Sequence, residues 1–167
     1  MLQKVSKAEP AWFGIDSFHA RYLTGTKDDI QQGLIAPKET AAIIERAYTM
    51  FKSERLFVKS ECASSFLIRN VFVGQQRGAI VGHEPIITEP FAVKFEALAD
   101  LKFAFGDVVG EGKTLKIEVD KPALDFIGAP FPLPSMQVGM DLTFQVENIG
   151  KTSMRFLGAL LGQAVWL

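Results

Sequence analysis

Cysteine is nearly absent from this chain: Cys62 is the only one in 167 residues. A lone thiol excludes an intrachain disulfide and leaves the redox compartment undecided. Histidine is almost as scarce, with only His19 and His83, in unlike surroundings. Zinc and non-haem iron sites want two or more His, or several Cys, at defined spacing, so no metal and no cofactor is expected. Tryptophan and tyrosine number two each. No uninterrupted apolar run approaches the ~20 residues a membrane-spanning helix needs, so no membrane span is expected. Residues 1–7 lack an apolar signal core, so no signal peptide is expected either. An excess of one charge is missing as well, with 18 basic and 19 acidic residues, a formal net charge of −1 and no dense run of either sign. Nucleic-acid binders normally display a basic patch, so direct genome contact is not expected.

Phenylalanine is what the chain has in abundance: 14 Phe, in a composition that is 48% hydrophobic and 22% charged. That balance is globular, and the length suits one domain. Phe carries a large apolar area with no polar handle and favours strands, which suits packing better than chemistry.

The clearest local signal is residues 141–147. Leu142, Phe144 and Val146 alternate with Asp141, Thr143, Gln145 and Glu147, the pattern of a strand with one face on a core and one in water. Residues 148–153 supply turn chemistry before a second extended run from Met154, so a β-hairpin is expected there. That last run is apolar on both faces: Phe156, Leu160, Ala164 and Trp166 on one, Leu157, Leu161, Val165 and Leu167 on the other. Such a strand is either central in a covered sheet or in contact with another subunit. Earlier strands are expected over 56–60, 65–73, 79–81, 86–88, 91–97, 101–105 and 114–119.

The first 36 residues show no sustained period, and Trp12, Phe13, Phe18 and Tyr22 are apolar islands in a polar run. Two readings stand, an irregular segment laid across the domain or an arm reaching a neighbouring subunit. Pro37 and Glu39 open an expected amphipathic helix over about 37–52, with Thr40, Ile44, Ala47, Tyr48 and Phe51 on one face. Residues 120–139 carry Pro122, Pro130, Pro132 and Pro134, a density that forbids a central strand. Leu124, Phe126, Ile127, Phe131, Leu133 and Met136 make this loop apolar, so it must lie on something, and long loops of this kind tend to be functional or interface loops.

About eight strands at spacings of roughly 8 to 12 residues predict an all-β fold, a single jelly-roll-like antiparallel sandwich or barrel. The expected organisation is an N-terminal arm plus helix over 1–53 and the β-sandwich domain over 54–167. An immunoglobulin-type sandwich is disfavoured, because its Cys…Trp…Cys signature is absent.

The segment Gly112-Lys-Thr-Leu-Lys-Ile-Glu-Val-Asp120, the proline loop, Gly139-Met-Asp-Leu-Thr-Phe-Gln-Val-Glu-Asn148 and Arg155-Phe-Leu-Gly158 resemble the closing strands of small single jelly-roll capsid proteins of icosahedral tailless bacteriophages. The resemblance covers roughly 54–167 and rests on strand rhythm. It implies one β-barrel in a virion shell, made in the host cytoplasm, with an arm and loops that clasp neighbours. No functional residue carries over from it.

Catalytic constellations are not found. His83-Glu84 beside Pro85 reads as a turn, and Cys62 as a structural thiol with no base nearby. Ser64 and Ser65 lack a nucleophile-elbow context. Gly74, Gly78 and Gly82 lack the lysine of a phosphate loop. Asp107 with Glu111, and Asp28-Asp29, miss the EF-hand spacing. Gly158 and Gly162 read as part of a buried strand that admits close approach of a neighbour, rather than as a membrane helix.

These readings converge on a structural, self-assembling protein and not an enzyme. Its expected partners are copies of itself or other capsid proteins. Candidate interface residues are Trp12, Phe13, Phe18, Tyr22, Phe126, Ile127, Phe131, Leu133, Met136 and Trp166. The alternative is a β-sandwich binding module for carbohydrate or a partner protein, which needs a row of exposed Trp or Tyr. An enzyme on the same scaffold ranks behind both, although fold alone does not exclude it.

Overall fold

A computed structural model describes residues 8–21, 23, 25–74, 84–94, 108–109 and 129–165. In chain order the strands are β1 (Ala8–Asp16), β2 (Ala20–Arg21), β3 (Leu34–Ile35), β4 (Thr40–Arg46), β5 (Met50–Lys59), β6 (Phe66–Val73), β7 (Ile86–Ile87), β8 (Ala92–Val93), β9 (Val108–Val109), β10 (Ala129–Pro130), β11 (Asp141–Asn148), β12 (Met154–Arg155) and β13 (Leu157–Val165). The helices are short: α1 (Lys27–Gln31), α2 (Ser60–Ala63) and two single 3-10 turns. The fold is mostly β.

Two main sheets carry the structure. The first runs β10-β5-β13-β1-β9, with β8 also on β5, and the second runs β2-β4-β11-β6-β7. Their facing sides share one core. Ala11, Phe13 and Ile15 of β1, Phe51, Leu56 and Val58 of β5, and Leu160 and Ala164 of β13 meet Ala41 and Ile43 of β4, Leu142, Phe144 and Val146 of β11, and Phe66, Ile68, Val71 and Val73 of β6. Phenylalanines bind the layers together: Phe66 meets Phe156 edge-on at 5.2 Å, and Phe131 lies 6.0 Å from Phe144. Such pairs contribute ~0.5–1.5 kcal/mol beyond the apolar area they bury.

Alternation called β11 correctly, with Leu142, Phe144 and Val146 buried. It also called β13, which lies between β5 and β1 and is buried on both faces. Trp12, Phe57, Leu157, Ala159 and Leu161 alternate with core positions and form a second buried apolar layer on the far side of that sheet.

Several expectations are corrected. No helix spans 37–52: residues 40–46 are β4 and β5 starts at Met50. Ala41, Ile43 and Glu45 point inward at period two, while Tyr48, assigned to the apolar helix face, is exposed. The same apolar residues satisfy both periods over so short a run, and β-branched Thr40, Ile43 and Ile44 favour the strand. The irregular segment or arm is also a strand along its middle, because β1 pairs antiparallel with β13 from Ala8↔Val165 to Asp16↔Leu157. The expected boundary at 53/54 falls inside β5. The expected hairpin of 141–167 is absent, since β11 and β13 sit in different sheets and 148–153 carries the chain between them.

In β6 the alternation slips after Ile68. Val146 pairs with Ile68 but Gln145 with Asn70, so Arg69 is an extra residue, and the bulge turns Val71 and Val73 into the core. The strands expected over 79–81, 101–105 and 114–119 lie outside the described residues, as do residues 95–97 of the one expected over 91–97, of which Ala92–Val93 is β8.

Candidate functional site

Two tight turns meet at one end of the two sheets. The β4–β5 turn is Ala47–Thr49, and the facing turn, 137–140, leads into β11. Ala47 donates its N–H to Met140 O at 2.9 Å, and Gly139 donates to Ala47 O at 2.8 Å, so the turns are locked back to back. Gly139 takes φ of +87°, a backbone state that favours glycine. Thr49 Oγ1 donates to Val165 O at 2.5 Å and ties the β4–β5 turn to the end of β13. On this base Tyr48 (53% exposed) and Val138 (56%) reach into solvent, while Met140 (36%) folds back on its own turn, its Sδ accepting from Gln137 N at 3.4 Å. Exposed apolar side chains on two turns hydrogen-bonded to each other make this end an apolar tip. The sequence reading missed it because exposure in a turn leaves no periodicity. The available signal was Val138 between Gln137 and Gly139, an apolar residue where turn chemistry calls for a polar one.

The predicted interface residues distribute otherwise. Trp12, Phe13, Phe131, Leu133 and Met136 are buried inside this single chain, so they are not free for a neighbour. The described part of the apolar loop, from residue 129 on, lies on the chain's own core through Phe131, Leu133 and Met136. Phe18 is the described exception, 54% exposed. Tyr22, Phe126, Ile127 and Trp166 lie outside the described residues.

Phe18 belongs to a polar cluster at the opposite end of β1. Arg155 holds the buried Asp16 through Nε–Oδ1 at 2.7 Å and a second guanidinium contact to Oδ2. The Asp16 carboxylate drives the Arg155 pKa above its ordinary range. Asp16 Oδ1 also accepts from Phe18 N at 2.9 Å, and the Arg155 guanidinium lies 5.5 Å from the Phe18 ring centroid. Beside them His19 Nδ1 sits 2.7 Å from Glu45 Oε1. Ser17 is buried, donating to Gly33 O at 2.6 Å and accepting from Phe156 N at 2.8 Å. These groups satisfy one another and brace the crossing from β1 to β2 against the start of β13.

No three His, Cys, Asp or Glu side chains among the described residues come together as a metal site. Asp29, weighed above as a calcium ligand, instead closes a capping box with Thr26 at the start of α1. Cys62 is buried in α2, and that burial pushes its thiol pKa up, away from nucleophilic use at neutral pH. Among the described residues no helix is long and apolar enough to cross a membrane. His83, Asp107 and Glu111 lie outside the described residues.

No protein-family model, curated protein or solved structure matches this chain.

Proposed function

We propose that this protein is a structural subunit that assembles with copies of itself, and that the assembly is a virion shell. The observation that carries the assembly reading is the apolar tip. Tyr48 and Val138 stand on turns hydrogen-bonded to each other, so their apolar surface stays in water unless a neighbour covers it. Burying such area yields about 25 cal/mol per Å² before association costs.

Strand order supports the shell reading through the jelly-roll resemblance. In a jelly roll the first and last strands lie side by side in one sheet, and the second and next-to-last lie side by side in the other. Of the six strands of seven residues or more, β1 pairs with β13 and β4 pairs with β11. The flanking strands β5 and β6 extend each pair in the same wound order. Fold analogy supplies this part of the reading, and fold alone does not dictate function. The carbohydrate-module alternative draws less support, because Trp12 is buried and cannot join an exposed aromatic row.

Size-exclusion chromatography with light scattering, run over rising concentration and salt, tests the assembly. Wild type is expected to grow beyond a monomer, and Tyr48→Ser with Val138→Ser to stay small while unfolding at an unchanged urea midpoint. A wild type that remains strictly monomeric, or a double variant that assembles equally well, overturns the proposal.

A further inference from the structure

Among the described residues, the proline-rich segment ahead of β11 is the outermost strand on the β5 side of the first sheet. Ala129 pairs with Leu56 and Pro130 with Arg55. Phe131 then donates its N–H to Glu54 O at 2.9 Å, and its carbonyl accepts from Ser53 Oγ at 2.8 Å. Five residues on, Met136 exchanges both backbone hydrogen bonds with Phe51, at 2.9 and 3.0 Å. Between these anchors the segment carries two more residues than β5 does and bulges away from it. Lys52 Nζ reaches into the bulge to donate to Leu133 O at 3.0 Å. Phe131, Leu133 and Met136 turn into the core, while Pro130, Pro132 and Pro134 are exposed.

Backbone groups alternate in direction along an edge strand. Both groups of Phe131 face β5, so those of Pro130 and Pro132 face outward. An ordinary residue would present a free N–H there, ready to pair with a strand from another molecule, and proline presents none. The bulge and the lysine at 132–135 further spoil the flat edge that strand addition requires. Among the described residues no strand pairs with the outer side of this segment.

We propose that Pro130, Pro132 and Pro134 form a built-in stop to sheet growth, which prevents a second copy of this chain from adding its own strand to the β5 edge. The stop is independent of the assembly proposed above, because a monomer with this edge open faces the same hazard.

The test uses the full chain with Pro130→Thr, Pro132→Thr and Pro134→Thr together. Pro132→Val alone serves as a milder variant that decides the matter if the triple variant does not fold. Pro37→Thr, in a turn away from this edge, is the control. Each is followed by light scattering, thioflavin fluorescence and the infrared band of intermolecular β-sheet, with the urea midpoint measured alongside. The expected result is a variant with its urea midpoint retained that shifts to polymers carrying the intermolecular β band, while Pro37→Thr behaves as wild type. A folded edge variant that keeps the wild-type size and shows no thioflavin signal overturns the proposal. So does polymerisation matched by Pro37→Thr, since loss of a proline away from this edge would then suffice.

Discussion

Gly162→Ala should be among the most damaging single-methyl changes available in this protein. Gly162 sits in β13 where the ladder with β5 shifts register, opposite Ser53. A Cβ there would lie 2.0 Å from Lys52 O, 2.9 Å from Lys52 C and 3.1 Å from Ser53 Cα. Carbon and carbonyl oxygen settle no closer than about 3.3 Å, so the strands must part by more than an ångström at that point. The obstacle is backbone, which cannot swing aside as a side chain could. Opening the ladder loses about two hydrogen bonds at roughly 1 kcal/mol each, and overpacking adds about 1–3 kcal/mol. Stiffening of the unfolded chain by alanine returns only about 0.4–1 kcal/mol. The net expectation is a destabilisation of about 3 kcal/mol. At a urea slope of about 2 kcal/mol per molar, the midpoint should fall by about 1.5 M. Two other glycines calibrate the effect. Gly158→Ala meets Phe57 O at 3.0 Å and should cost far less. Gly139→Ala meets nothing within 4 Å and incurs only the left-handed strain of φ +87°, about 1 kcal/mol. Equilibrium unfolding of the three variants by circular dichroism is the assay. A Gly162→Ala midpoint indistinguishable from wild type, or one above that of Gly139→Ala, would refute the argument from close approach.

Three further outcomes follow from the same packing. Asn148 is fully buried, with Nδ2 donating to Ile35 O and Thr152 O at 2.8 and 2.9 Å and Oδ1 accepting from Gly150 N at 2.8 Å. Asn148→Ala should therefore lose about 3 kcal/mol in urea unfolding, and a near-neutral result would deny it this bracing role. Trp12 is buried but its Nε1 has no hydrogen-bond partner, so Trp12→Phe removes an unsatisfied donor along with some packing. It should fall within about 1 kcal/mol of wild type while Trp12→Ala loses about 3–5 kcal/mol, and equal losses would contradict this. Because burial raises the Cys62 pKa in the folded state, the native protein holds that proton more tightly than the unfolded chain does. Stability from this group is complete below the unfolded thiol value of about 8.5 and declines as pH rises through the higher folded value. Urea midpoints from pH 7 to 10 should fall more steeply for wild type than for Cys62→Ala, and parallel curves would count against it.

How far the sequence reading reached depends on whether the signal was local. Strand β11 was plain because one face meets water and the other meets core, so hydropathy repeats every second residue. The double-faced burial of β13 was plain for the complementary reason. The stretch 37–52 misled because Thr40, Ile44 and Tyr48 recur at helical spacing by coincidence, and inward Glu45, bonded to His19, hides the strand period. The bulge at Arg69 was invisible, since it exists only against the register of β11. As for the interface, apolar residues were rightly singled out as needing cover, but the cover proved internal for Trp12, Phe13, Phe131, Leu133 and Met136.

The amino-acid order alone settled the β class and the places of the long strands at 66–73, 141–148 and 157–165. These depend on side-chain chemistry read at neighbouring positions. Which strands lie together, and hence whether an apolar residue faces its own core, a sheet edge or solvent, emerged from chain contacts far apart in sequence. β1 finds β13 across nearly the whole chain, and the prolines at 130–134 become an outer edge only because β5 lies inside them. Long-range pairing minimises exposed backbone and apolar surface for the whole chain at once, and no window of adjacent residues contains that sum.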